Sequence, residues 1–204
     1  MPPVSPRLHR SASRLRRTLV TISGLSVAAL PLGCTGSTRT GTDTGTPSPS
    51  PSATSVTEGW KVSPDGAGPV KVGMTLDEAA KAAHSAIHQE GPPAEPGGCT
   101  YVSIVGGPEG LAFMVTADRI ARVDVHNGSE VRTVEGAGIG STEAAVKSLY
   151  PGVRVEPAKY VEGGHDLIHD ASATTKIVFE TDGTRVTAFH SGKEPEVSYV
   201  EGCS

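Results

Sequence analysis

The chain has 204 residues, a formal charge of −4 and only 4 % aromatic residues. That length allows one or two small domains, and the composition requires a core built on Val, Ile, Leu and Ala. Arg7, Arg10, Arg14, Arg16 and Arg17 all precede Cys34, with no acidic residue among them. Taking these five from the 18 basic residues leaves 13 against 22 acidic ones, so the chain from Cys34 onward carries −9. So acidic a domain is poorly suited to nucleic acid or anionic lipid headgroups.

Residues 1–17 are basic, and residues 18–33 are apolar and small. A basic segment followed by a short apolar run reads as a secretory signal, too short for a spanning helix. The run closes on Leu30-Pro31-Leu32-Gly33-Cys34. This stretch resembles a bacterial lipobox, which implies a diacylglyceryl group on the Cys34 thiol and cleavage ahead of it. Pro31 stands where that pattern usually has Leu. Arg16-Arg17-Thr18-Leu19 also resembles a twin-arginine export signal. Residues 1–33 are therefore read as a signal peptide and Cys34 as a lipid anchor on the outer face of the cell membrane. Ordinary cleavage and secretion is the alternative.

Residues 35–57 are almost wholly Thr, Ser, Gly and Pro. Such a composition cannot bury enough apolar surface to offset its ordering entropy, and alternating Pro and Ser favours an extended spacer. Residues 34–57 are expected to form a disordered tether. Behind it, residues 58–130 and 131–204 are expected to form two α+β units, each a helix followed by an antiparallel sheet.

The basis is a stretch that occurs twice. Val72-Gly73-Met74-Thr75-Leu76-Asp77-Glu78-Ala79 is echoed by Ile139-Gly140-Ser141-Thr142-Glu143-Ala144-Ala145-Val146. Gly73 and Gly140 permit a sharp turn. A hydroxyl of Thr75, or of Ser141 or Thr142, can then accept from a free N–H of the first helical turn. Thr75 and Glu78 have capping-box spacing. The first helix is predicted over 75–89, with Leu76, Ala79, Ala80, Ala83 and Ile87 on one apolar face. Strands are predicted over 99–105, 111–116 and 120–126. In the last of these, Ile120, Arg122, Asp124 and His126 share one face, and Ala121, Val123 and Val125 the other.

In the second unit a short helix is predicted over 142–149 and extended chain over 153–161, with a further strand starting at Leu167-Ile168. The Asp182-Gly183 turn joins a hairpin over 176–190, and a final strand covers 197–200. Arg122-Val123 is matched with Arg185-Val186. The helix starts lie 67 residues apart and these strands 63, which supports an internal repeat. Helix then meander, twice over, resembles the small outer-membrane lipoprotein (SmpA/OmlA) and β-lactamase inhibitory protein class, across roughly residues 71–199. That resemblance implies tandem helix-plus-sheet units and a sheet that binds another protein.

With Cys34 lipidated, Cys99 and Cys203 remain as a pair suited to an oxidising compartment. A bridge between them would close a loop of about 100 residues, worth on the order of 4–5 kcal/mol in the chain-entropy model. Two buried free thiols are the alternative. His84 and His88 share a helical face at i, i+4 but lack the Glu of a zinc-protease helix. His165, His169 and Asp170 are the candidate metal ligands, although strand geometry would hold the two imidazoles about 13 Å apart. The glycines of 136–140 lack the Lys of a phosphate-binding loop, and no nucleophile elbow is present.

The sequence thus predicts no catalytic residues, no cofactor and a non-catalytic envelope protein. It would be held at the membrane by its N-terminal lipid and bind a protein or envelope ligand on an exposed sheet face. A small-molecule or metal-binding sensor using His165, His169 and Asp170, or an unrecognised hydrolase, are the alternatives.

Overall fold

The computed structural model describes residues 59–91, 95, 97–126 and 128–203. The expected signal peptide, the expected anchor Cys34 and the expected tether lie outside the described residues. Three two-residue strands, β1 (Val62–Ser63), β2 (Gly66–Ala67) and β3 (Val70–Lys71), form a small antiparallel sheet. Helix α1 (Leu76–Ala83) leads to β4 (Ile87–Glu90), β5 (Thr100–Ile104), β6 (Leu111–Thr116) and β7 (Arg119–Val125). Helix α2 (Glu143–Leu149) leads to β8 (Arg154–Pro157), β9 (His165–Asp170), β10 (Thr175–Thr181) and β11 (Val186–Lys193), and a 3₁₀ turn follows at Glu196–Ser198.

The expected pair of helix-plus-sheet units is overturned. The described residues are mostly β, with one three-stranded and one eight-stranded antiparallel sheet and only two α-helices. The large sheet runs β4-β5-β6-β7-β11-β10-β9-β8. β7 and β11 pair at its centre, Phe189 opposite Val125 and Gly192 opposite Arg122, so strands from both halves of the chain share a single sheet. Pairing explains the merger, since joining β7 to β11 satisfies two strand edges that separate sheets would leave open.

The two helix starts make matching bonds. Thr75 and Glu78 form a reciprocal capping box, Glu78 N–H donating to Thr75 Oγ1 at 3.2 Å and Thr75 N–H to Glu78 Oε2 at 2.8 Å. Thr142 Oγ1 accepts from Ala145 N–H at 3.1 Å. Ser141 instead closes the preceding turn, accepting from Gly138 N–H. Gly73 and Gly140 have φ of 93° and 82°, where a side chain would be strained. Their N–H groups donate to Ile120 and Val186, while Arg119 and Arg185 donate to their carbonyls, each at 2.7 Å. The structural counterpart of Arg185-Val186 is therefore Arg119-Ile120, three residues before the expected Arg122-Val123.

Helix α1 ends earlier than its spacing suggests. His84 adopts a left-handed conformation with φ of 50° and caps the helix, and Ile87 leaves the helical path to pair with Ile104. Sheet pairing here overrides a weak helical preference. His84 and His88 are thus a cap residue and a strand residue, not neighbours on one helix. The expected strand over 197–200 is likewise replaced by the 3₁₀ turn.

One face of the large sheet carries the core: Val102, Phe113, Val123, Val125, Leu167, Ile177, Phe179 and Phe189 are buried there with Ala79 of α1 and Val146 of α2. Ile120 joins that core rather than the face of Arg122. The register shifts beside it, Val115 facing Ile120 and Met114 facing Arg122, so Ala121 is a bulge. Thr187 is displaced in the same way between Val186 and Ala188.

Candidate functional site

Among the described residues, no α-helix lies over the opposite face of the sheet. Its lining follows from strand alternation. In register across the second half stand Glu156 of β8, Asp166 of β9 and Glu180 of β10, then Ile168 beside Val178, and Val178 beside His190 of β11. Toward the centre lie Asp124 and Arg122 of β7, then Met114 of β6 and Tyr101 of β5.

The C-terminal strap, residues 194–203, crosses this face. Arg122 anchors it. The guanidinium is buried and bonded to Asp124 at 2.5 Å, while Nη1 donates to the carbonyls of Glu196 and Tyr199 at 3.2 and 2.6 Å. The pair is sound because each charge is matched and the spare donors are used. Tyr101 OH accepts from Arg122 Nη2. Burial, and then the Asp124 charge, push its phenol up to about 12. Thr116 donates to Glu196 Oε1 at 2.7 Å, and Glu196 Oε2 is buried with no partner among the described residues. At the far end Cys203 is joined to Cys99, with the sulfurs 2.07 Å and the Cα atoms 5.2 Å apart.

Between the strap and the second half of the sheet lies a cavity of about 240 Å³. Its floor is Glu156, Asp166, Ile168, Val178, Glu180 and His190, and its walls are residues 158–161 and 197–200. His190 Nε2 donates to the Val197 carbonyl at 3.0 Å, and Nδ1 lies 3.2 Å from Glu180 Oε1. The hydrogen bond from His190 outweighs burial and holds the Glu180 carboxyl below its ordinary range. Asp166 behaves oppositely: burial, and then repulsion by Glu180, raise its carboxyl above the ordinary range. Both nitrogens of His190 are engaged, which leaves neither free to act as a general base.

The rim is apolar. Tyr160, Val161, Tyr199 and Val200 are 63 %, 48 %, 41 % and 56 % exposed, and they are half of the large exposed apolar residues among those described. Exposed apolar side chains gathered in one place, unlike ones scattered singly, call for an explanation. Lys159 sits 4.7 Å over the Tyr160 ring and donates to Glu201, as does the Tyr160 hydroxyl. Lys176 is paired with Glu194.

The residues singled out from sequence fall elsewhere. His165 and His169 flank Leu167 on the core face, where they hold the two ends of α2. His165 Nδ1 lies 2.7 Å from Glu143 Oε1, and the His169 ring packs 4.8 Å from Tyr150. Burial pushes the Glu143 carboxyl up, but hydrogen bonds from His165, Thr181 and Lys147 prevail and bring it down to about 2. Asp170 points to the other face and pairs with Arg154 at 2.9 Å. The three candidate ligands are therefore not brought to one point, and among the described residues no cluster of three metal-ligating side chains exists. Gly73, Thr75, Gly140, Ser141 and Thr142 all build helix starts away from the cavity.

The sequence reading missed Glu180, His190, Tyr160 and Tyr199, and it noticed Asp166 only as one of two Asp in the His165–Asp170 segment. The available signal was an acidic residue beside each of two short apolar runs, Asp166 before Leu167-Ile168 and Glu180 after Ile177-Val178-Phe179. No family model, no curated protein and no solved structure matches the chain.

Proposed function

We propose that this protein is an exported, lipid-anchored envelope protein without catalytic activity, which binds a segment of another protein on the face of its large sheet opposite α1 and α2. The observation that carries this reading is the cavity beneath the strap, with four exposed apolar residues gathered on its rim. The basic and apolar leader, Cys34 and the Thr/Ser/Pro/Gly spacer support export and anchoring at a distance from the membrane. The Cys99–Cys203 pair is in keeping with an oxidising compartment. The resemblance of the Gly73 and Gly140 helix starts to the small outer-membrane lipoprotein class, whose sheet binds protein, points the same way.

Photo-crosslinking in the intact envelope tests the reading. A photoreactive residue replacing Tyr199 should yield a discrete protein adduct, and the same residue replacing Lys81, on α1, should not. Equal adducts from both positions, or none from Tyr199, defeat the proposal.

A further inference from the structure

We infer that the cavity accepts one basic side chain, lysine or arginine, of an extended peptide whose flanking residues lie on the apolar rim. The inference rests on the sheet-face reading above and names the chemistry of its ligand.

Size comes first. A pocket that encloses a whole small ligand usually measures about 300–1,000 Å³, and this one is about 240 Å³. It has room for one end of a ligand. The four rim residues then cover what remains outside, as flanking peptide side chains would require.

Charge sets the nature of that end. Glu156, Asp166 and Glu180 supply three carboxylates to the floor. The two lysines of the lining are already neutralised by acids outside it, Lys159 by Glu201 and Lys176 by Glu194. Glu156 is paired with Arg154, and Glu180 with His190. Asp166 alone of the three has no hydrogen-bond or ion-pair partner among the described residues; Glu156 and Glu180 flank it across the strands, and the basic group that acts on it, His190, is already engaged by Glu180 and the Val197 carbonyl. A half-buried carboxylate between two others is relieved by a cation placed in the cavity. An anionic ligand would add to the repulsion, and a purely apolar one would bury Asp166 without a partner. The aliphatic stem of a basic side chain suits Ile168 and Val178, with its charged tip at Asp166.

Isothermal titration of the full chain with capped tripeptides tests this. Acetyl-Val-Lys-Val-amide should bind at least tenfold more tightly than the same peptide with norleucine or glutamate in place of lysine. Its affinity should fall as salt is raised. Asp166→Asn should bring the lysine peptide down to the norleucine level, while Tyr199→Ala should weaken both. Equal binding of the lysine and norleucine peptides overturns the inference and leaves the sheet-face reading intact, provided the Tyr199 crosslink persists. No binding of any peptide also overturns it. Acetyl-lysine amide binding as tightly as the tripeptide overturns the peptide assignment in favour of a small amine. The norleucine comparison and the salt dependence use the unaltered protein, so the result stands even if Asp166→Asn does not fold.

Discussion

Breaking the Cys99–Cys203 bridge should have two separable effects. The cysteines are 104 residues apart in sequence, and in the chain-entropy model a loop of that length is worth about 5 kcal/mol. The Cys99→Ser, Cys203→Ser double variant should therefore unfold in denaturant with stability reduced by up to about that amount. The native strap, however, has a second anchor. Arg122 donates to two of its carbonyls, His190 to a third, Thr116 to Glu196, and Val197 is fully buried. Hydrogen bonds from a charged donor contribute roughly 1.5–3 kcal/mol each, and burying the Val side chain about 1.5 kcal/mol or more. Residues 196–199 should thus stay in place without the bridge, while residues 200–203 come loose. Heteronuclear ¹⁵N relaxation of the double variant, compared with the parent, would show fast motion confined to 200–203. An unchanged denaturation midpoint would refute the loop-closure reasoning. Loss of order over the whole strap would show that Arg122 does not hold it.

Asp124→Asn leaves the Arg122 guanidinium buried against a neutral partner, and a loss of about 3–5 kcal/mol is expected from chemical denaturation; the Arg122→Met, Asp124→Leu double variant should not restore the parent stability, because the Glu196 and Tyr199 carbonyls lose their donor. Gly192→Val drives a Cβ to 2.5 Å from the Ala121 carbonyl across the central seam, so a loss of about 1–3 kcal/mol should appear as a lower thermal midpoint. Because the folded-state Glu143 carboxyl lies at about 2, below its ordinary 4.5, its contribution is present above pH 4.5 and is lost as pH falls toward 2. Thr181→Val and His165→Gln should each shrink that acid-dependent loss in urea titrations at stepped pH. Thr142→Ala removes the cap of α2 and should lower stability by about 1 kcal/mol, while Ser141→Ala affects only the preceding turn.

Local rules were enough to read the helix starts, the Asp182-Gly183 hairpin and the pairing partner of Cys99. Each depends on residues close in sequence or on a small choice of cysteines. The end of α1 was hidden because Ile87 fits the helical face and the strand alternation equally well, and only its partner Ile104, 17 residues on, decides. The face of Ile120 was hidden by a bulge at Ala121, which nothing in the residue itself announces. The union of the strands into one sheet depends on β7 meeting β11, a pairing across more than sixty residues with no turn to signal it. The cavity was less legible still, since its wall is the strap, and Arg122 fixes the strap through backbone carbonyls that carry no sequence signature. His165 and His169 suggested a metal because imidazoles two positions either side of a Leu share a face; the same spacing serves to clamp a helix.

An eight-stranded open sheet must end somewhere, and here both ends are blunted. β4 and β8 are only four residues long, and β8 carries Arg154, Glu156 and Pro157 in an almost wholly exposed strand. Charges and proline on a short outer strand discourage a neighbouring molecule from extending the sheet. The central strands are built differently, since β7 and β11 are seven and eight residues long and mostly buried. A cut anywhere in residues 128–141 that let the halves drift apart would uncover two sticky templates at once. Proteolysis there would leave fragments that reassociate or aggregate through β7 and β11, with the outer strands taking no part.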